Sequence, residues 1–160
     1  EKAVEDNLLQ FKSTQSTRRA VREICTRLKN MTPRELDFFQ NADPFDQSLM
    51  CWLACCRTYE FIGDFATQVL LENFASYKLD LDYAAFDFFC EEQAQFHPEL
   101  EEVTESTRKK LRQILFRMMR EAGILSDDNR IIAGIASHSL KDINEHGERD
   151  LPLFVPGASL

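Results

Sequence analysis

The chain is punctuated by helix starts, and this leaves few folds open to it. Thr32-Pro33-Arg34-Glu35 is a capping box with proline at the first helical position. Asp43-Pro44 or Asp46, then Asp82 and His97-Pro98, repeat the signal. Ser16 and Ser106 each precede a basic amphipathic run, and Gly123 stands where the second run should stop. With only 5 Gly and 5 Pro among 160 residues, the chain lacks the turn formers of an all-β protein. We therefore expect a mainly α, compact helical domain with at most a small β element near 124–136. Helices are expected over about 2–11, 16–30, 33–41, 44–59, 60–76, 82–90, 99–104 and 106–122. Gly63 is the weak point of the fifth. Arg130–Ala133 reads as a short strand and Ser139–Glu145 as another turn or two of helix. The apolar tail Leu151–Leu160 is expected to lie extended on the surface. One helical domain covers 1–160; a finer division would place helix-turn-helix-like subdomains at about 1–42 and 97–136 around a helical core, 43–96.

At 44% hydrophobic the chain can bury a core, and its 13 Phe suit helix–helix packing. The aromatic series Phe38, Phe39, Phe61, Phe65, Phe86, Phe88 and Phe89 reads as core filling. Charge-free stretches such as 47–56 and 131–140 are about half of what a spanning helix needs, so membrane insertion is not expected. No basic-then-apolar signal pattern opens the chain, and it begins at Glu1, so a leading segment is expected ahead of it. Cys25, Cys51, Cys55, Cys56 and Cys90 read as reduced, mostly buried thiols of a cytoplasmic protein. Neither zinc nor a cofactor is expected, because no histidine pairs with the cysteines at ligand spacing.

The net charge of −8 conceals a strong segregation. Residues 12–29 hold six bases against one acid, a net of +5; residues 41–105 hold two bases against fourteen acids, a net of −12. Residues 106–120 hold six bases and no acid, a net of +6. A phosphate feels charge within a Debye length of roughly 10 Å, so an acidic total does not bar an anionic partner.

The two basic segments resemble each other. STRRAVREICTRL at 16–28 and STRKKLRQILFRM at 106–118 share six of thirteen residues at an offset of ninety. Duplication of a helix-turn-helix unit and chance similarity of two amphipathic helices both account for this. On a helical wheel Leu111, Ile114, Leu115, Met118 and Ala122 form the expected inward stripe of the second copy, and Val21, Ile24, Cys25 and Leu28 that of the first. Arg18, Arg19, Arg108, Lys109 and Lys110 then fall in the first turns of their helices. Cations there oppose the helix dipole, and a bound anion would reverse that penalty. The competing reading is a solvated face paired with the acidic middle of the chain.

Short helix, tight turn, basic helix, glycine and strand is the order of a winged helix. Arg108, Lys109, Lys110, Arg112 and Gln113 become the primary DNA-contact candidates, with Arg18, Arg19 and Arg22 as a second set. Arg117 and Arg120 are outer phosphate contacts or ion-pair partners. Glu99, Glu101, Glu102 and Glu105 count against this placement unless turned aside. No phosphate loop, dinucleotide fingerprint, zinc-protease motif or nucleophile elbow occurs, and His97, His138 and His146 are scattered, so no catalytic residue and no enzyme is expected.

Three blocks, STRRAVREICTRLKNMT, WLACCRTYEFIGDFATQVL and FHPELEEVTESTRKKLRQILFRMMREAGIL, resemble in order and combination the BrxA family of BREX phage-defence systems. The resemblance covers nearly the whole chain. It implies a small helical DNA-binding protein with helix-turn-helix character, similar in shape to the NusB antitermination fold. It further implies double-stranded DNA and other BREX components as partners, in restricting phage and in marking host DNA by methylation. It carries no catalytic residues. Family members have been labelled inner-membrane proteins, against which the charge spacing here argues. A homodimer stays open. The alternative function is a protein–protein adaptor of the defence complex, acting through the apolar tail and the acidic middle without touching DNA.

Overall fold

Asp43 and Pro44 start the helix on which the others pack. In the computed structural model, which describes residues 2–6, 8–133, 136–144 and 146–154, the Asp43 carboxylate accepts from the Phe45 and Asp46 N–H groups at 2.9 and 3.1 Å. Helix α4 then runs Pro44–Thr58, once α1 (Lys2–Glu5), α2 (Thr14–Leu28) and α3 (Pro33–Asn41) have preceded it. Its charge-free stretch has a packing reason: Leu49, Met50, Trp52, Leu53, Ala54, Cys55 and Cys56 are all buried, leaving Cys51 on the exposed ridge. A helix apolar on nearly every side must be covered on nearly every side.

Tyr59 breaks the line in extended conformation, and the chain re-enters helix as α5 (Glu60–Phe65), a π-helical stretch (Ala66–Leu71) and α6 (Glu72–Ala75). The predicted helix 60–76 is thus present with a widened middle. Gly63 permits it to lie against α4, since a Cβ there would stand 3.0 Å from the Cys56 carbonyl oxygen. Phe61 and Phe65 meet Phe86 and Phe89 of α7 (Tyr83–Ala94) at ring-centroid separations of 5.0–6.1 Å, mostly edge to face. Each such pair is worth about 0.5–1.5 kcal/mol beyond its buried area. Asp82 caps α7 through the Ala85 N–H at 2.9 Å, as its position predicts.

Helix α8 (Pro98–Glu101) is a single turn, shorter than expected, and α9 is Glu105–Glu121. Gly123 sits at φ +73°, the left-handed residue that ends α9, as its position predicts. The expected strand is reduced to isolated antiparallel bridges, Leu125 with Ile131 and Asp80 with Arg130, and the described residues form no sheet. Residues 134 and 135 of the predicted β region lie outside the described residues. Helix α10 (His138–Ile143) is capped by Ser137, whose hydroxyl also donates to the buried Asp46 carboxylate at 2.5 Å.

The tail expectation is overturned where it can be seen. Residues 147–154 form helix α11 (Gly147–Phe154) instead of leaving the surface extended. Trp52 donates its indole N–H to the Leu153 carbonyl at 2.7 Å, and Asp150 is buried against Arg57. Residues 155–160 lie outside the described residues.

Candidate nucleic-acid interface

Two caps set the phase of the basic helices, and both lie upstream of the predicted serines. Ser13, not Ser16, caps α2, accepting from the Ser16 N–H at 3.1 Å. Thr104, not Ser106, caps α9, accepting from the Thr107 N–H at 3.3 Å. The helices therefore begin at Thr14 and Glu105. Arg18, Arg19, Lys109 and Lys110 fall in the second turn, beyond the free N–H groups, and the Arg108 N–H already donates to Thr104 O at 2.9 Å. These cations therefore do not sit beside the free N–H groups of the helix ends as expected, and what they present to an anion is side-chain charge alone.

The inward faces also differ from the wheel. In α9 Leu115, Phe116, Met119 and the adjoining Ala122 are buried, whereas Leu111 is 45% and Ile114 36% exposed. In α2 Thr17 is buried and Ile24 is 42% exposed, with Cys25 open to solvent. The cause is α7. The Tyr83 ring stands edge-on to Phe116 at 4.8 Å, drawing α9 toward α7 and leaving the Leu111–Ile114 side uncovered.

That same rotation sorts the predicted contact residues. Arg112 is taken: its guanidinium binds Asp87 and lies 4.8 Å over the Tyr83 ring. Arg108 is loosely held, 3.8 Å from the exposed Glu91. Lys109, Lys110 and Gln113 are exposed and carry no side-chain partner, as do Arg18, Arg19 and Arg22, among the described residues. Arg117 pairs within its own helix with Glu121 at 3.7 Å, and Arg120 donates to Asn129 Oδ1 at 2.5 Å. Glu99, Glu101, Glu102 and Glu105 are exposed, and none of them pairs with a basic side chain of α9 among the described residues.

The register along α4 places the two cation sets. Asn30, just past α2, bonds Thr58 at 2.9 Å, Arg27 lies 5.5 Å over the Tyr59 ring, and Ile24 shares a cavity with Cys51 and Ala54. So α2 runs parallel to α4. Helix α9 runs the opposite way: Arg108 and Leu111 adjoin Tyr59, while Gly123 adjoins the Phe45 ring. Arg27 and Met118 both line one cavity of about 440 Å³, together with Cys51 and Cys55. The C-terminal part of α2 and the helix α9 thus flank the same ridge of α4, with Arg108 and Leu111 of α9 beside its end and Arg18, Arg19 and Arg22 on the part of α2 that precedes these contacts. Arg18 is nine residues, about 14 Å of helix, from Arg27. The matched copies also sit in unlike settings, with Thr17 buried and Thr107 exposed, Arg22 free and Arg112 bound.

Sequence reasoning missed Asp87, Tyr83 and Glu91, the partners that decide which arginines are available. It also missed that Ile24, Leu111 and Ile114 stay open. A spacing of four between Tyr83 and Asp87, and between Asp87 and Glu91, marks a face of α7 able to receive a basic helix and was the available signal. Among the described residues no three His, Cys, Asp or Glu side chains converge as metal ligands would.

Fold and charge together define a class: a mainly α single-core protein with two separated groups of unpaired surface cations and no helix, among the described residues, long and apolar enough to cross a membrane. The family model BrxA matches residues 1–146, and the chain belongs to the BrxA family, as a BREX-associated protein. No curated protein matches it.

Proposed function

We propose that this protein is a non-enzymatic, cytoplasmic accessory of a BREX system that binds duplex DNA through Lys109, Lys110 and Gln113 on α9 and Arg18, Arg19 and Arg22 on α2, beside other BREX components. The observation that carries the reading is the set of five exposed cations with no acidic partner among the described residues, on two helices flanking one ridge. Arg108 joins them at little cost, since a pair as exposed as Arg108–Glu91 contributes at most about 1 kcal/mol. Arg112 is reassigned from contact to positioning, because its charge is spent on Asp87 and Tyr83. Helix-turn-helix docking of α9 and a homodimer belong to this proposal only as routes to a longer contact.

The test is anisotropy of a labelled duplex titrated across salt. Each neutralised phosphate adds about −0.9 to the slope of log affinity against log salt, so five contacts give roughly −4 to −5. Reversal of Lys109 and Lys110 to glutamate should flatten the slope by about 2. Absence of binding at low salt in the folded protein rejects the reading.

A further inference from the structure

An apolar cavity of about 290 Å³ opens beneath the start of α9. Phe61, Phe86, Cys90, Val103 and Leu111 line it with Tyr59, and its one charged neighbour is Arg108. The Arg108 guanidinium sits at the rim, where it reaches toward the solvent-exposed Glu91. The walls are firm: Phe61 is braced by Phe86 and Phe89, and burial pushes the Cys90 thiol up to about 11, so it stays neutral.

Beyond the cavity an apolar strip continues along α9. Leu111, Ile114 and Met118 succeed one another along one side of α9, and Met118 lines the second cavity, over Cys51. Leu111 and Ile114 are uncovered, and Ile24 on α2 is uncovered across the ridge. A small apolar molecule would fill the cavity and leave this strip wet. A helix laid along it would cover both. From Leu111 to Met118 is about 10 Å, two turns, which a segment of about twelve residues spans. The strip is flanked by Arg108 and Lys110, the first loosely paired and the second without an acidic partner among the described residues. Acidic flanks on the incoming helix would match them.

We infer that the channel between α9 and the α4 ridge is a docking site for an acidic amphipathic helix of a partner protein, with one large apolar side chain seated in the cavity below Arg108 and Leu111. This follows the general mode of helix-in-groove recognition, in which anchors at i, i+4 and i+7 carry the contact. The site shares Arg108 and Lys110 with the cation groups of the proposed function, but its apolar anchors, Leu111 and Ile114, are not among them, so the two can be told apart by changing those anchors.

The experiment uses a fluorescein-labelled peptide of about twelve residues, with Phe and Leu at i, i+4 and i+7 and Glu on the other face. Its controls are a scrambled isomer without the apolar stripe and a version with Gln for Glu. The amphipathic acidic peptide should bind about tenfold tighter than its isomer, and L111S/I114S should abolish that margin while leaving the duplex salt slope unchanged. Lys110→Gln should weaken the Glu peptide and not the Gln peptide. Equal affinity for the two isomers, or binding indifferent to L111S/I114S, overturns the inference. So does a loss of duplex affinity in L111S/I114S equal to its loss of peptide affinity, which would make the strip part of a nucleic-acid face.

Discussion

The guanidinium of Arg57 grips the Asp150 carboxylate, Nη2 at 2.5 Å and Nε at 3.1 Å, and so fastens α11 to the central helix. The same group makes a two-pronged contact with Glu35 of α3 at 2.7 and 2.8 Å and donates to the Asn30 carbonyl. All three side chains are 10% exposed or less. Removal of the cation strands two buried carboxylates. Arg57→Ala should cost about 3–5 kcal/mol, measured by urea unfolding, whereas removal of an exposed pair costs under about 1 kcal/mol. A small loss for Arg57→Ala would contradict this arrangement.

The C-terminal helix has a second anchor in Trp52, whose indole N–H holds the Leu153 carbonyl. Trp52→Phe combined with Asp150→Asn should release the segment. Limited proteolysis would then cut near residues 144–150 in the double variant and leave the parent intact there.

Glu35 makes stability depend on acid. Burial alone would push its carboxyl up, but the Arg57 hydrogen bonds and the Thr32 N–H outweigh this and hold it below its ordinary 4.5. Its folded-state pKa being depressed, its contribution is present above about 4.5 and is lost as pH falls through the folded value. Unfolding midpoints should therefore fall below pH 4.5 in the parent more steeply than in Glu35→Gln.

Arg112 and Lys109 should separate stability from binding. Arg112→Ala removes both the Asp87 pair and the Tyr83 stack and should cost about 1–2 kcal/mol of folding stability. Lys109→Ala should leave the melting temperature unchanged and reduce the duplex salt slope by about 1. An unstable Lys109→Ala would show that its side chain serves the fold.

Thiol reactivity should follow exposure. Cys25 is open to solvent, while Cys56 and Cys90 are buried and burial raises both thiols. Iodoacetamide at neutral pH should alkylate Cys25 in the folded protein and reach Cys56 and Cys90 only on unfolding, as mass mapping would show.

Gly63 tests the close approach of α5 to α4. A methyl at that position meets the Cys56 carbonyl oxygen at 3.0 Å, a backbone atom that cannot rotate away. Gly63→Ala should destabilise by about 1–3 kcal/mol despite the better helix propensity of alanine.

Much of this molecule was legible in local chemistry. Thr32, Asp43 and Asp82 cap the helices that their positions predict, and Gly123 ends α9 where the sequence marks the stop, at positive φ. Capping is a contest among a few neighbouring groups, so the sequence alone settles it. It misled at α2 and α9, where Ser13 caps in place of Ser16 and Thr104 in place of Ser106, because a hydroxyl two or three residues upstream serves equally well and the shift costs little locally. That the chain is mainly α followed from the same local signals, whereas the covering of the charge-free run 47–56 on nearly every side of α4 is a matter of packing.

What only the tertiary structure decided is which side of each basic helix is covered. A wheel shows that Leu111, Ile114, Leu115, Phe116 and Met119 are apolar, but these span more than one neighbour can bury. The choice fell to Tyr83 and Asp87, twenty-five or more residues upstream, whose ring and carboxylate draw Phe116 and Arg112 inward and leave Leu111 and Ile114 out. Likewise Arg57 could have been one more surface base, and the tail a loose strand, until α3 and α11 each brought a carboxylate to the same guanidinium. Periodicity tells which residues can be buried; the position of the facing helix, set by contacts far apart in sequence, tells which of them are.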